Sequence, residues 1–423
     1  MHIQIPGDKS ITHRALILSL FTQGEDNIIE GFNQAKDCLS TIECLKALGL
    51  IIKNIDGRLI TYNPDWTLNY MQNINLDGHN SGTTIRLLAG VLAGAAGEFS
   101  FTGDDSLKKR PMARLVEPLR LMGAKVKYLD KDGYLPFSLT GGKLTGIKYK
   151  INVASAQVQS AIILAGLKAS NYTIVSVPSL VRTHTQNMLK ANNVIVKNLN
   201  YCVTGVKRLN SPVAGFNIKV PGDLSSASYF LVLGALIENS HFIMENININ
   251  PGRDLIIDTI LKIGGDLKLL NRKIVNLEPV CDLEIRGNRK LTAITIDYKN
   301  IATGIDEIPI IALLMSHAMG TSYVKNAQEL MYKESNRLDL IVSNLRQAGA
   351  DIQACEDGFW VKGVDYLHGD SIWVTSSDHR MAMTGLVAAA IAKHPIKVDN
   401  LACIDISYPG FLDELDKIMA KIK

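Results

Sequence analysis

The sequence predicts an α/β protein of two domains, each an inside-out α/β barrel built from three repeats of a βαβαββ-like unit. Three observations lead there. A polar opening followed by a helix apolar on all sides recurs at roughly every sixth of the chain, and such self-similarity at a fixed period marks a repeat architecture. An amphipathic helix that ends in a tight turn and re-enters a strand keeps the same beat. The segment Pro6-Gly7-Asp8-Lys9-Ser10 has a counterpart just past the midpoint, Pro221-Gly222-Asp223-Leu224-Ser225, which divides six units into two sets of three.

The first opening sets Lys9, Ser10 and Arg14 at the mouth of the apolar run 15–21. The first amides of a helix have no intrahelical acceptor and the macrodipole is positive there, so added cations make an anion site. The other openings are Asn80-Ser81-Gly82-Thr83, Ser155-Ala156-Gln157, Ser225-Ser226, Asp306-Glu307 and Asp378-His379-Arg380. Each is also what a capped surface helix looks like, so recurrence carries more weight than any one of them.

The turns fall at Gly49, Gly123, Asn192, Gly264 and Gly349, where a left-handed helix terminus is expected and Asn is the usual substitute for Gly. Met112, Leu115, Val116, Leu119 and Met122 keep helical spacing up to Gly123, and Lys125-Val126-Lys127-Tyr128 then alternates as a half-buried strand does. A C-terminal helix from Phe411 completes the sixth unit. Amphipathic helices face solvent, whereas a helix apolar all round must be covered, and its polar first turn must then surface. Three such helices in parallel per domain would aim six N-termini at one cleft, selective for multiply charged anions. The expected domains are 1–8 with 227–423, and 9–226, with hinges near 8–10 and 222–227.

Composition narrows the class. The chain has 423 residues, 47% hydrophobic and 6% aromatic, enough for two cores of mainly aliphatic packing. A net charge of +4 without a long Lys/Arg block argues against nucleic acid, while the local cluster Lys108-Lys109-Arg110 favours a small anionic ligand. Six cysteines have no CxxC pair and the histidines form no metal-ligand spacing with them, so the cysteines read as reduced packing residues, and no metal and no cofactor are expected. No apolar run is long enough to span a bilayer, and no signal segment is read at the N-terminus, so a cytoplasmic protein without membrane partners is expected.

Six motifs, in order along the whole chain, resemble EPSP synthases: Gly7-Asp8-Lys9-Ser10-Ile11-Thr12-His13-Arg14, Asn80-Ser81-Gly82-Thr83-Thr84-Ile85-Arg86, Lys109-Arg110-Pro111-Met112, Ser155-Ala156-Gln157, Lys333-Glu334-Ser335-Asn336-Arg337 and Asp378-His379-Arg380-Met381-Ala382-Met383. Ser155-Ala156-Gln157 and Val181-Arg182-Thr183-His184 look more like the second, largely bacterial branch. The resemblance implies a two-domain inside-out fold with the active site in the interdomain cleft. The implied reaction moves the enolpyruvyl group of phosphoenolpyruvate to the 5-hydroxyl of shikimate 3-phosphate, a step toward chorismate and the aromatic amino acids. Both substrates are small molecules, and a monomer is expected.

Such chemistry asks for a clamp on two phosphates and two carboxylates, a base, an acid and support for a tetrahedral intermediate. By the resemblance, Lys9, Gly82, Arg110, Gln157, Arg337 and Arg380 hold phosphoenolpyruvate. Lys9, Ser10, Arg14, Ser155, Ala156, Gln157, Arg182, Asp306 and Lys333 hold shikimate 3-phosphate. Asp306 is the matching base, and either Glu334 or Lys9 delivers the proton. Taken alone, Asp306 reads as a helix N-cap, Lys333 with Glu334 as a solvated pair, and His13 as structural.

Asn336, where the family usually has Asp, loses a charge that could orient Arg337, and Val181 stands where a hydrogen-bond donor is expected. The resemblance also places the herbicide glyphosate, slightly longer than phosphoenolpyruvate, against Gly82. Resistant members often carry Ala there, so this chain is expected to be sensitive. Two alternatives are a UDP-sugar enolpyruvyl transferase of the same fold and a catalytically inactive anion-binding protein. The first would call for a reactive Cys in 103–110, where there is none; the second would not need both Asp306 and Glu334.

Overall fold

The computed structural model describes residues 1–287, 290–297 and 301–422. The chain divides into two compact units, the first of Met1–Pro6, Pro221–Lys273 and Pro279–Lys423, the second of Gly7–Val220 and Ile274–Glu278.

Each unit has three buried helices at its centre. In the second unit they are Lys9–Leu18, Gly82–Ala93 and Ala156–Gly166. In the first they are Leu224–Leu236, Ile308–Met315 and His379–Ile391. Polar openings and apolar bodies have one cause: the body is enclosed by sheets and outer helices, so only the first turn can carry polar side chains. Five of the six openings provide side-chain caps, with Asp8 accepting from Ile11 N, Ser81 from Thr84 N, Ser155 from Val158 N, Asp223 from Ser225 N and Asp378 from Arg380 N. At the sixth, Glu307 holds the cap position without a side-chain bond. Inner helices approach closely where residues are small: a Cβ on Gly90 would lie 2.4 Å from the Ala161 carbonyl oxygen.

Around these helices the described residues form five four-stranded sheets and one two-stranded sheet. Every four-stranded sheet begins with a parallel pair and adds two antiparallel strands. Asp26–Glu30, for example, pairs with Asn217–Lys219 in parallel and with Arg58–Tyr62 antiparallel. That sheet is closed by a strand from the far end of its unit, and His2–Ile3 likewise completes the sheet of His241–Asn248. The sixth sheet pairs only Ser371–Trp373 with Ile396–Val398, and the amphipathic helix Phe411–Ile422 follows.

Four of the five turns contain the expected left-handed glycine, with φ of 87° at Gly49, 112° at Gly123, 94° at Gly264 and 100° at Gly349. The fifth corrects the expectation: Asn192 has φ −104° and its Nδ2 donates to Met188 O at 2.8 Å, while Asn193 takes the left-handed position at φ 60°. The side-chain bond holds Asn192 as the C-cap of the helix His184–Ala191 and pushes the reversal one place on. No helix among the described residues is long and apolar enough to cross a membrane.

Candidate active site

In the second unit the openings of the inner helices are laced together by side chains. Arg14 is buried and donates from Nε to Thr185 Oγ1 at 2.7 Å, from Nη1 to Ser10 O at 3.0 Å and from Nη2 to Ser160 Oγ at 2.9 Å. Arg182 Nη1 reaches Ser10 Oγ at 3.2 Å. Lys9 Nζ donates to Asp37 Oδ2 at 2.7 Å, in the first turn of the helix Lys36–Ala47. Gln157 bridges the second and third openings, accepting from Arg86 Nη1 at 2.7 Å and donating to Thr83 Oγ1 at 2.9 Å. Ser155 caps the helix that Ala156 begins.

The cluster Lys108-Lys109-Arg110 separates in space. Its lysines are exposed, while Arg110 turns inward, donating to Asn80 Oδ1 at 2.7 Å and Ser106 Oγ at 3.1 Å. Gly82, whose amide donates to Asn80 O at 3.1 Å, is linked through Asn80 to Arg110. The structure thus gathers Ser10, Arg14 and Arg182 into one bonded group, with Lys9 beside Ser10 but paired to Asp37, and sets Gly82, Arg110 and Gln157 around the second opening. His184, wholly buried beside Arg182, lies 3.0 Å from Glu278 Oε1.

His13 is buried with Nδ1 2.7 Å from Thr41 Oγ1. Burial foremost, then Lys9 and Arg14, hold its pKa well below the ordinary value, so it is neutral at pH 7. An unfolded chain takes up this proton near pH 6.5 and the folded chain only lower, so its contribution to stability is lost as pH falls below about 6.5, by up to ~1.4 kcal/mol per pH unit. We expect His13→Gln to flatten the decline in melting temperature between pH 7 and pH 5. Parallel profiles for the two proteins would show that His13 is protonated in the fold.

Within the first unit, opposite charges form a knot. Arg337 has no exposure and donates from Nε to Asp378 Oδ2 at 2.7 Å and from Nη2 to Glu334 Oε2 at 2.5 Å. Asp306 Oδ1 lies 3.2 Å from Lys333 Nζ and 3.3 Å from Arg337 Nη1, and its Oδ2 lies 3.8 Å from Arg380 Nη2. Asp306 is therefore no helix cap; Glu307 takes that position. Burial opposes the charge on Arg337, but Asp378, Glu334 and Asp306 more than offset it, so its pKa rises; for Arg380, Asp306, Tyr229 and Glu307 outweigh burial in the same way. A fixed guanidinium pair with a carboxylate between them suits planar, multiply charged anions.

Asp378, part of the motif Asp378-His379-Arg380, anchors Arg337. Arg253 donates to Asp223 Oδ1 at 2.6 Å and to Ser225 Oγ at 2.5 Å, and Ser225 in turn donates to Glu307. Asp37 and Arg253 stand outside the motifs and their partners lie on other elements, so periodicity does not single them out. Asn336 caps its own helix, accepting from Asp339 N, while Asp378, Glu334 and Asp306 pair with Arg337. Val181 is buried among apolar residues.

The family model for EPSP synthase (3-phosphoshikimate 1-carboxyvinyltransferase) matches residues 1–415. A 3-phosphoshikimate 1-carboxyvinyltransferase of Geobacillus kaustophilus is 42% identical over 421 residues, 99% of this chain and 97% of that protein. The enzyme of the same name from Oceanobacillus iheyensis is 40% identical over 418 residues, 99% of this chain and 96% of that protein. A solved EPSP synthase of Acinetobacter baumannii superposes with a TM-score of 0.84 at 32% identity, covering 99% of this chain and 95% of that one, which carries the two-domain inside-out α/β fold over the full length. With six motifs in register, a fold shared end to end and relatives at this identity, the chain belongs to the EPSP synthase family.

Proposed function

We propose a division of labour for the reaction of this enzyme, the transfer of the enolpyruvyl group of phosphoenolpyruvate to the 5-hydroxyl of shikimate 3-phosphate with release of phosphate. Asp306 takes the hydroxyl proton as the oxygen attacks C2. Glu334 or Lys9 protonates the methylene carbon, giving a methyl group and a tetrahedral intermediate. The same group recovers a methyl proton as the C–O bond to phosphate breaks. Lys9, Arg110, Gln157, Arg337 and Arg380 hold phosphoenolpyruvate, with Gly82 leaving room for it. Ser10, Arg14, Ser155, Ala156, Gln157, Arg182 and Lys333 hold shikimate 3-phosphate.

The observation that carries this reading is Asp306, 15% exposed in its side chain and set among Lys333, Arg337 and Arg380. A carboxylate amid three cations that still reaches solvent is poised to meet a hydroxyl on an anionic substrate. Phosphate release from phosphoenolpyruvate tests it: release should need shikimate 3-phosphate and proceed at the same rate with a chelator present. Release that needs a UDP-sugar, or none at all, would select one of the alternative readings. We also assign the enzyme to the cytoplasm as a monomer, without nucleic-acid or membrane partners; light scattering giving a multiple of the 46.3 kDa chain mass would overturn the monomer.

The Gly82 position bears on inhibition. A Cβ there would lie 2.5 Å from Arg86 Nη1 and 3.4 Å from Leu107 Cδ1. Arg86 is long enough to yield, but the nitrogen displaced is the one bonded to Gln157. Crowding of this kind costs on the order of 1–3 kcal/mol. We expect Gly82→Ala to weaken glyphosate inhibition by roughly ten-fold or more, with a smaller rise in the KM for phosphoenolpyruvate. Equal weakening of both ligands would mean that the methyl acts through Arg86 and Gln157 and does not sense ligand length.

A further inference from the structure

We propose that His368, Asp370 and His394, on the first unit, form a binding site for one divalent transition metal of the zinc and copper class, separate from the residues of the reaction. Each offers one donor atom, and the three atoms lie within 4.8 Å of one another. His368 Nδ1 is 3.9 Å from Asp370 Oδ2, and the two imidazole rings have centroids 4.8 Å apart, tilted by 42°.

The donors come from two chain segments whose backbones are tied together at this point. His394 N donates to His368 O at 2.9 Å and Lys393 N to Leu367 O at 3.0 Å, immediately before the strands Ser371–Trp373 and Ile396–Val398 pair in parallel. Gly369 lies between two of the ligands with φ 89°, and a Cβ on it would lie 2.1 Å from His394 O, so the chain passes directly against His394. Asp370 follows at φ 50°, a left-handed conformation that Asp tolerates better than most residues. The two histidines are thus held side by side by backbone contacts, and a metal has only to order the side chains.

The donor set selects the metal. Two imidazoles and one carboxylate suit zinc, copper or nickel, whereas magnesium and calcium prefer all-oxygen shells. Ligand atoms about 2.1 Å from a tetrahedral zinc lie roughly 3.4 Å apart. Small rotations of side chains that are 58% and 61% exposed at His368 and Asp370 close the remaining gap. Water completes the shell, and the open surface gives entry without a desolvation barrier.

Calorimetric titration of the chelator-stripped enzyme tests the proposal, using zinc chloride and, in a second arm, magnesium chloride. We expect one saturable zinc site per chain in the micromolar range and no saturable heat with magnesium. His368→Ala and His394→Ala should each weaken zinc at least ten-fold and Asp370→Asn less, with circular dichroism unchanged because the positions are exposed. Cys355, an exposed thiol, is the competing donor, and Cys355→Ser should leave the titration as it was. The site is refuted by the absence of saturable zinc binding, by zinc binding that survives both histidine substitutions, or by binding lost on Cys355→Ser.

Discussion

Asp306→Asn will lower turnover by about 100-fold or more while leaving the binding of shikimate 3-phosphate within a few-fold of the parent, the scale on which a positioned general base contributes. The substitution is nearly isosteric and keeps an oxygen for Lys333 Nζ and Arg337 Nη1, now 3.2 and 3.3 Å away, so the cations stay roughly in place. What it removes is the ability to accept a proton. Steady-state turnover alongside calorimetric binding of shikimate 3-phosphate separates the two effects. Near-normal turnover would reduce Asp306 to a counter-ion for Lys333, Arg337 and Arg380.

Arg337→Met should cost about 3–5 kcal/mol of stability and raise the KM for phosphoenolpyruvate at least ten-fold. Methionine has comparable length but cannot pair with Asp378, a carboxylate with no exposure, and breaking a buried pair from one side leaves the other charge uncompensated. Among the described residues, Asp378 then keeps the hydroxyl of Ser335 at 3.0 Å and the amide of Arg380 at 2.9 Å. The double variant Arg337→Met with Asp378→Asn should recover part of the stability but none of the affinity, because neutralising Asp378 removes the stranded charge without restoring a guanidinium. Denaturant titration of the three proteins decides it. A single variant as stable as the parent would mean that water solvates Asp378 freely.

The six openings were legible because they are local. A capping side chain answers amides two or three residues away, as Asp8 answers Ile11, and an apolar surface on every side of a helix records full burial without saying against what. The left-handed glycines were legible for the same reason. Where a side chain competed locally, at Asn192 and Asn193, pattern and structure parted by one residue. The motifs brought out Lys9, Arg110, Asp306, Glu334, Arg337 and Arg380 as candidates, yet they did not show what each one touches.

By itself, then, the sequence determined the α/β class, the six-unit rhythm, the inner helices and the family to which the chain belongs. These rest on periodicity, caps and residue order, which are properties of neighbours in the chain. Tertiary structure alone decided that Asn217–Lys219 closes the sheet of Asp26–Glu30, that Arg110 turns inward from its lysines, that Asp37 holds Lys9, and that Asp306 faces three cations while Glu307 takes the helix cap. Apart from the Glu307 cap, each of these joins groups distant in sequence, and a charge gains its role from the partner that folding brings beside it, through distance-dependent attraction that no pattern along the chain encodes.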